Sequence, residues 1–265
     1  MTIAVGKTEY QLGSHPTIGC GLSYSGDELN TALVGEVQEV VFDIKGQTQI
    51  INSLSIDTGF SEDQIEQKLK IDFHKPEDWR VGEGIAECYL STHRNCIFPW
   101  PDSRDERKVG SSLPGADLVG FQIETDEVVY FAYGEVKTSS ENQQPPQVVT
   151  GRSGLQAQIE DLRDNETTKK TLVKYLAYRC KGQSWEYLFQ KAAKNFLQCS
   201  KNIRIFGFLI RDTQPNKKDI EARVNNLIKT QYLETHIELL ALYLPNQSIS
   251  QLSSKIMLYK NGGAV

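Results

Sequence analysis

The sequence has no run near the ~20 consecutive apolar residues that cross a bilayer. Its opening stretch, MTIAVGKTEYQLGSH, lacks the basic region followed by an apolar block that makes a secretory signal. A cytosolic protein without a membrane partner is therefore expected. Cysteine is sparse: five residues, Cys20, Cys88, Cys96, Cys180 and Cys199, none within four positions of another. That spacing excludes zinc-knuckle and Cys-x-x-Cys redox pairs, and scattered thiols in odd number fit a reducing compartment. A nucleophilic cysteine would need a histidine partner, and the sequence pairs none of them with any of its four histidines. Positive charge is also short, 29 Lys and Arg against 34 Asp and Glu, a net charge of −5. A wholly basic nucleic-acid binder is thus disfavoured, and any such contact must come from local patches.

Familiar site motifs are missing too. There is no phosphate-binding P-loop, no His-Glu-x-x-His, no EF-hand loop and no Gly-x-Ser-x-Gly. Gly19-Cys20-Gly21 starts like a dinucleotide fingerprint but has neither a third glycine nor a clear strand before it, and reads as a flexible loop. Gly151-Arg152-Ser153-Gly154 reads as a turn into a helix. No internal repeat or long low-complexity tract occurs.

What is present is a chain of 265 residues with 39 % apolar content, enough for one elaborated domain or two small ones. Residues 1–75 form a weakly patterned N-terminal segment expected to pack on a core spanning 76–245, with 246–265 as a C-terminal tail. In the first segment Asp27 can cap a helix through about Val41. Ser61 with Gln64 three residues on makes a capping box. Asp78 can cap a helix from about Trp79 to Thr92, with Ile85, Ala86, Tyr89 and Leu90 on one face. A loop of about 20 residues follows, His93 to Pro114, long enough to suggest function. Two strands come next, 117–123 and 128–137, the second rich in β-branched and aromatic residues. Ser153 opens a helix to about Arg163, and further helices run from about Thr167 to Arg179 and Ser184 to Cys199. Ile203–Ile210, apolar apart from Arg204, reads as a central strand. A helix near Lys217–Tyr232 and a strand at Ile237–Leu244 complete an α/β order. Trp185, Tyr187, Phe189 and Phe196 on one predicted helix are explained best by core packing.

The chemistry concentrates in Asp117 and Glu135-Val136-Lys137. Glu135 and Lys137 are two apart on a strand and so share a face. If Asp126 centres the hairpin turn, residue 117 pairs with 135, and two carboxylates meet across the ladder about 5 Å apart at Cβ. Such a pair repels itself. A divalent cation with a preference for hard oxygen ligands, Mg²⁺, relieves the repulsion, and the lysine adds a fixed positive charge for phosphodiester hydrolysis. Glu-x-Lys alone is a weak signal and recurs at Glu66-Gln67-Lys68 on a predicted helix with no partner aspartate. The plain alternative is a solvated strand face with a surface ion pair. Against it stands the combination: an apolar strand closed by the charged pair, an aspartate at mirror distance, a glutamate-bearing helix before and a glutamine-bearing helix after.

That order over residues 78–212 resembles the PD-(D/E)xK nuclease superfamily, with Pro114-Gly-Ala-Asp117 standing where the pattern has Pro-Asp. More narrowly, Gly82-Glu83, Leu113-Pro-Gly-Ala-Asp-Leu-Val-Gly120 and Gly134-Glu-Val-Lys137 resemble HamA, the nuclease family of the bacterial Hachiman anti-phage system. The resemblance implies a restriction-endonuclease-like α/β core, a central mixed sheet flanked by helices, with an N-terminal extension. It implies an Mg²⁺-dependent deoxyribonuclease, Mn²⁺ substituting, held in check by a helicase partner, HamB. Asp117, Glu135 and Lys137 would be catalytic, and one helix glutamate would complete the metal site. Glu83 and Glu87 share a helix face; Glu83, after Gly82, fits the pattern better, and one of the two is expected to be an ordinary solvated charge. Gln156, on the helix after the Glu-x-Lys strand, would support the lysine or the DNA backbone, or is an exposed helical glutamine.

Candidate DNA contacts are Arg104, Arg107 and Lys108 in the long loop, and Lys169 and Lys170 with Lys174, Arg179 and Lys181 further on. For any one of these the plain alternative is a solvated helix or loop charge. His93 beside Arg94 is read as structural. Two other functions stay open: a silenced subunit whose nuclease-like fold serves only for docking, and a restriction- or resolvase-type endonuclease with defined product ends.

Overall fold

The structure is a computed structural model and describes residues 2–69, 75–101, 104–105 and 115–261. The chain opens with a hairpin, β1 (Lys7–Ser14) and β2 (Thr17–Ser23), followed by helices α1 (Gly26–Val34), α2 (Glu36–Val41), α3 (Ile44–Thr58), α4 (Glu62–Leu69) and α5 (Asp78–His93). Then come β3 (Cys96–Ile97), β4 (Leu118–Thr125) and β5 (Val128–Ser139). Helices α6 (Gln147–Thr150), α7 (Leu155–Asp164), α8 (Glu166–Cys180) and α9 (Glu186–Gln198) lead to β6 (Ile203–Arg211). A 3₁₀ turn (Lys217–Asp219), α10 (Glu221–Lys229), β7 (His236–Tyr243) and α11 (Leu252–Lys260) complete the fold.

The strands form one seven-stranded mixed sheet in the order β1-β2-β7-β6-β5-β4-β3. Its centre, β2, β7, β6 and β5, is parallel, while β1, β4 and β3 pair antiparallel with their neighbours. Strand side chains alternate between faces, and each face carries a core. Ala132, Val136, Phe206, Phe208 and Leu240 pack against α1, α2, α5 and α11. Phe131, Tyr133, Ile205, Leu209 and Leu239 pack against α7 to α10. The apolar run of β6 from Ile205 to Ile210 is the signature of a strand covered on both sides. This is the α/β architecture expected, consistent with a restriction-endonuclease-like core.

Several local expectations are corrected. The segment before residue 75 contributes two strands to the sheet, and Gly19-Cys20-Gly21 is the middle of β2 instead of a loop. A Cβ on Gly21 would lie 2.3 Å from the Tyr10 ring and one on Gly19 2.6 Å from Val224, so the glycines are there for close approach. The first helix is capped by Ser25 in a Ser25/Glu28 capping box, not by Asp27, and breaks at Gly35. Asp78 does not cap α5; its carboxylate accepts from Ser253 N at 2.9 Å, tying α5 to the start of α11. The capping box at Ser61 and Gln64 forms as predicted. Further elements come from outside the pattern: α3, α6, the two-residue β3 inside the long loop and α11 inside the tail.

Helix α5 is fixed against the sheet at both ends. Near its start Gly82 lies on Thr138, where a Cβ would be 2.4 Å from Oγ1. Just past its end Arg94 donates from Nε and Nη2 to the Glu238 carboxylate of β7, at 2.6–2.9 Å. His93 contacts Ile3 O at 3.0 Å, the structural role expected of it.

Candidate active site

The β4–β5 hairpin decides which side chains meet. Leu118 pairs with Gly134, Gly120 with Ala132 and Ile123 with Val129. This is the register centred on Asp126 that the sequence implied. Asp117, one residue before β4, therefore arrives opposite Glu135. Its Oδ2 accepts the Val136 N–H at 2.7 Å, which anchors the carboxylate to the neighbouring strand where a further ladder bond would fall. On the other side of β5, Glu135 pairs with Gly207 of β6. A Cβ on Gly207 would lie 2.5 Å from the Leu239 side chain and 3.3 Å from Ile159 of α7, so the glycine makes room for both beside the site.

Glu135 is almost wholly buried, its side chain 1 % exposed, while Lys137 keeps 23 %. Lys137 Nζ donates to Glu135 Oε1 at 2.5 Å. The other oxygen, Oε2, is buried without a hydrogen-bond partner. Burial pushes the Glu135 carboxyl from its ordinary 4.5 up to about 8; the Asp117 charge adds to the rise and Lys137 opposes it. Two neighbouring carboxylates, one of them paired with a lysine and leaving one oxygen unserved, are short of positive charge.

A family model described as HamA matches residues 21–258, from the middle of β2 into α11. The chain belongs to the HamA family. No curated protein matches it. Membership suggests a role related to Hachiman defence, the system that the motifs around Glu83, Asp117 and Glu135 had indicated.

In this HamA chain the helix glutamates stand on α5, which packs on the sheet face of Val136. Among the described residues no group of three or more His, Cys, Asp or Glu side chains is placed to hold a metal, so neither Glu83 nor Glu87 completes a cluster with Asp117 and Glu135. The reason is layering. Helix α5 packs on the face of Val136 and Thr138, whereas Glu135 and Lys137 alternate onto the other. Glu83 is buried and paired with Arg80 at 2.8 Å. Glu87, one turn on, lines a cleft of about 610 Å³ with Asp43, Arg104 and Trp185. Gln156 does lie on the Glu135 side, on α7, but it donates to Glu160 Oε1 at 2.8 Å and accepts from Arg223 Nη1 instead of meeting Lys137.

The cations divide similarly. Lys169 is buried, 1 % exposed, donating to Arg163 O at 3.1 Å and paired with Glu166 at 2.5 Å. It holds the α7–α8 junction together, and its ammonium is closed to a phosphate. Arg104 is engaged bidentately with Asp43 at 2.7 and 2.8 Å, and Arg179 pairs with Asp105 at 2.7 Å while its guanidinium lies over Trp100 and Tyr175. Lys170, Lys174 and Lys181 are exposed. Arg107 and Lys108 lie outside the described residues. Of the aromatics on α9 and its cap, Trp185 and Phe196 are core and Tyr187 is exposed.

Sequence reasoning passed over Arg211 and Asp219. Both are fully buried, with Nε and Oδ2 3.4 Å apart, at the carboxyl end of the strand next to β5. The only signal was a charged pair, Arg211-Asp212, closing an apolar strand, the same signal that drew attention to Glu135.

Proposed function

We propose that the protein is a metal-dependent DNA endonuclease of PD-(D/E)xK type, hydrolysing phosphodiester bonds at Asp117, Glu135 and Lys137. In this reading it is the effector nuclease of a Hachiman complex in which a helicase subunit restrains it. The observation that supports it most is the buried, unpartnered Oε2 of Glu135 beside Asp117 and Lys137. Oxygen donors of this kind fit Mg²⁺, which binds through one or two carboxylates and keeps water and substrate phosphate for its other positions; Mn²⁺ is expected to substitute. Bound there, such an ion would supply a water of lowered pKa and neutralise phosphate oxygens. Asp117 and Glu135 would hold the ion, Asp117 being oriented by the Val136 N–H. Lys137, whose side chain keeps 23 % exposure, would donate to the phosphate as negative charge builds in the transition state. Family membership supports the defence role.

Plasmid cleavage by the purified chain in Mg²⁺ or Mn²⁺ tests the reading. Lys137→Ala and Glu135→Ala/Lys137→Ala should abolish cutting with the fold intact, Ca²⁺ should not support it, and EDTA should stop it. Full cutting in EDTA would remove the metal, and full cutting by Lys137→Ala would remove the lysine.

A second reading, a silenced subunit that docks on a partner, is favoured by the α3–α4 hairpin. It carries an apolar groove of about 450 Å³ lined by Leu54, Phe60, Ile65 and Leu69. Cleavage by the isolated chain distinguishes the two.

A further inference from the structure

The carboxyl ends of β5, β6 and β7 carry a polar lock that the chemistry above does not use. Arg211, the last residue of β6 and fully buried, donates from Nη1 to Ser139 O at 3.1 Å and Ser139 Oγ at 3.2 Å. From Nη2 it donates to Glu141 O at 2.6 Å and Gln143 O at 3.1 Å. Its Nε faces Asp219 Oδ2 at 3.4 Å, and Asp219 is held in turn by the Tyr243 hydroxyl at 3.0 Å. One guanidinium thus grips the backbone of the loop that leaves β5, beginning two residues beyond Lys137.

A second tie fixes the same loop to the 3₁₀ turn. Asn216 Nδ2 donates to Gln144 Oε1 at 2.6 Å, while Asn216 Oδ1 accepts from Lys218 N at 3.0 Å. Loop and turn are therefore one preorganised unit. Ser139, Arg211 and Tyr243 stand side by side in register, and Ser139 shares its strand face with Glu135 and Lys137. The outward surface of the unit is polar and basic: Gln143, Gln144, Lys217 and Lys218 are exposed. Glu141, the half-buried carboxylate of the loop, is engaged by the Gln147 N–H at 2.7 Å. The exposed pair of Lys217 with Glu221, 2.9 Å apart, is of a kind that contributes little and yields readily to a phosphate. A buried arginine spent on loop carbonyls is a device for fixing position, and it sits where parallel α/β sheets receive ligands, at the carboxyl ends of their strands.

We propose that the loop 140–144 and the turn Asn216–Asp219, locked together by Arg211 and Asn216, form a rim beside Lys137 that takes the sugar-phosphate backbone of DNA through Lys217 and Lys218. The inference rests on the nuclease reading and gives it a path for the strand leaving the site. The test is binding of a labelled DNA duplex in Ca²⁺, followed by fluorescence anisotropy across a salt series, with Lys217→Gln/Lys218→Gln set beside Lys170→Gln/Lys174→Gln on α8. The first pair should raise Kd about tenfold at 0.1 M salt and lower the salt slope by roughly two, about one per lost phosphate contact. The second pair should do distinctly less. Parental affinity and slope in Lys217→Gln/Lys218→Gln, with cleavage retained, would overturn the rim and leave the nuclease standing. A parent that neither binds nor cuts DNA would overturn both.

Discussion

Glu135 concentrates the energetics of the hairpin in one side chain. Without a cation its carboxyl ionises only around pH 8 in the folded chain, against an ordinary 4.5. Between those values the unfolded chain has released a proton that the native chain keeps, so stability falls as pH rises through the window. Glu135→Gln cannot ionise and escapes this loss. In EDTA, urea unfolding should give nearly equal stabilities for the two proteins at about pH 4 and a clear advantage for Glu135→Gln above about pH 8. Parallel stability curves would show that the carboxyl is not held in its neutral form. Adding Mg²⁺ at about pH 8 should reverse the order, because an ion that binds only the native carboxylates stabilises by mass action, and the glutamine has no charge to offer. That readout is independent of cleavage.

At the scale of elements, the hairpin was legible because its information is local. Strand alternation and a turn centred on Asp126 suffice to bring Asp117 opposite Glu135, and β6 announced its central place by being apolar on both faces. What could not be read depends on packing that the local pattern does not contain. Gly19 and Gly21 look like loop residues until Tyr10 and Val224 are seen to press on them. Glu83 has the right spacing on α5, but the face on which α5 packs is set by Gly82 against Thr138, and no periodicity contains that. Lys169 resembles its exposed neighbours in sequence, yet turns inward to Arg163 O and Glu166. The other end of α5 makes a prediction of its own. Arg94→Met would leave Glu238, 2 % exposed, as an uncompensated buried charge at a cost of about 3 kcal/mol. Arg94→Met/Glu238→Leu should recover most of that loss, since an apolar pair avoids desolvating two ions. Thermal unfolding of both variants decides; a double variant as weak as the single would show that the pair itself, and not the stranded charge, carries the stability.

At the scale of the whole molecule, the sheet runs straight through the expected boundary at residue 75. Strand β2 pairs with β7 from Thr17–Ile237 to Ser23–Tyr243. The Tyr10 and Tyr243 hydroxyls meet at 2.8 Å, linking the first strand to the buried network that ends on Arg211. Without residues 1–24, β7 would become the edge of the sheet. It would expose a row of unpaired backbone groups on an apolar strand, the template for aggregation that natural edges avoid. The hairpin β1–β2 supplies the opposite kind of edge: β1, KTEYQLGS, is mostly exposed and carries Lys7 and Glu9. Deletion of residues 1–24 should therefore abolish soluble expression or the cooperative unfolding transition, even though every candidate catalytic residue lies beyond the cut. A truncated chain that stays monomeric and unfolds as cooperatively as the full one would show that the N-terminal segment is separable. If the full chain instead unfolds in one transition and the truncation cannot, then the site at the end of β5 depends on a sheet that is complete only when β2 pairs with β7.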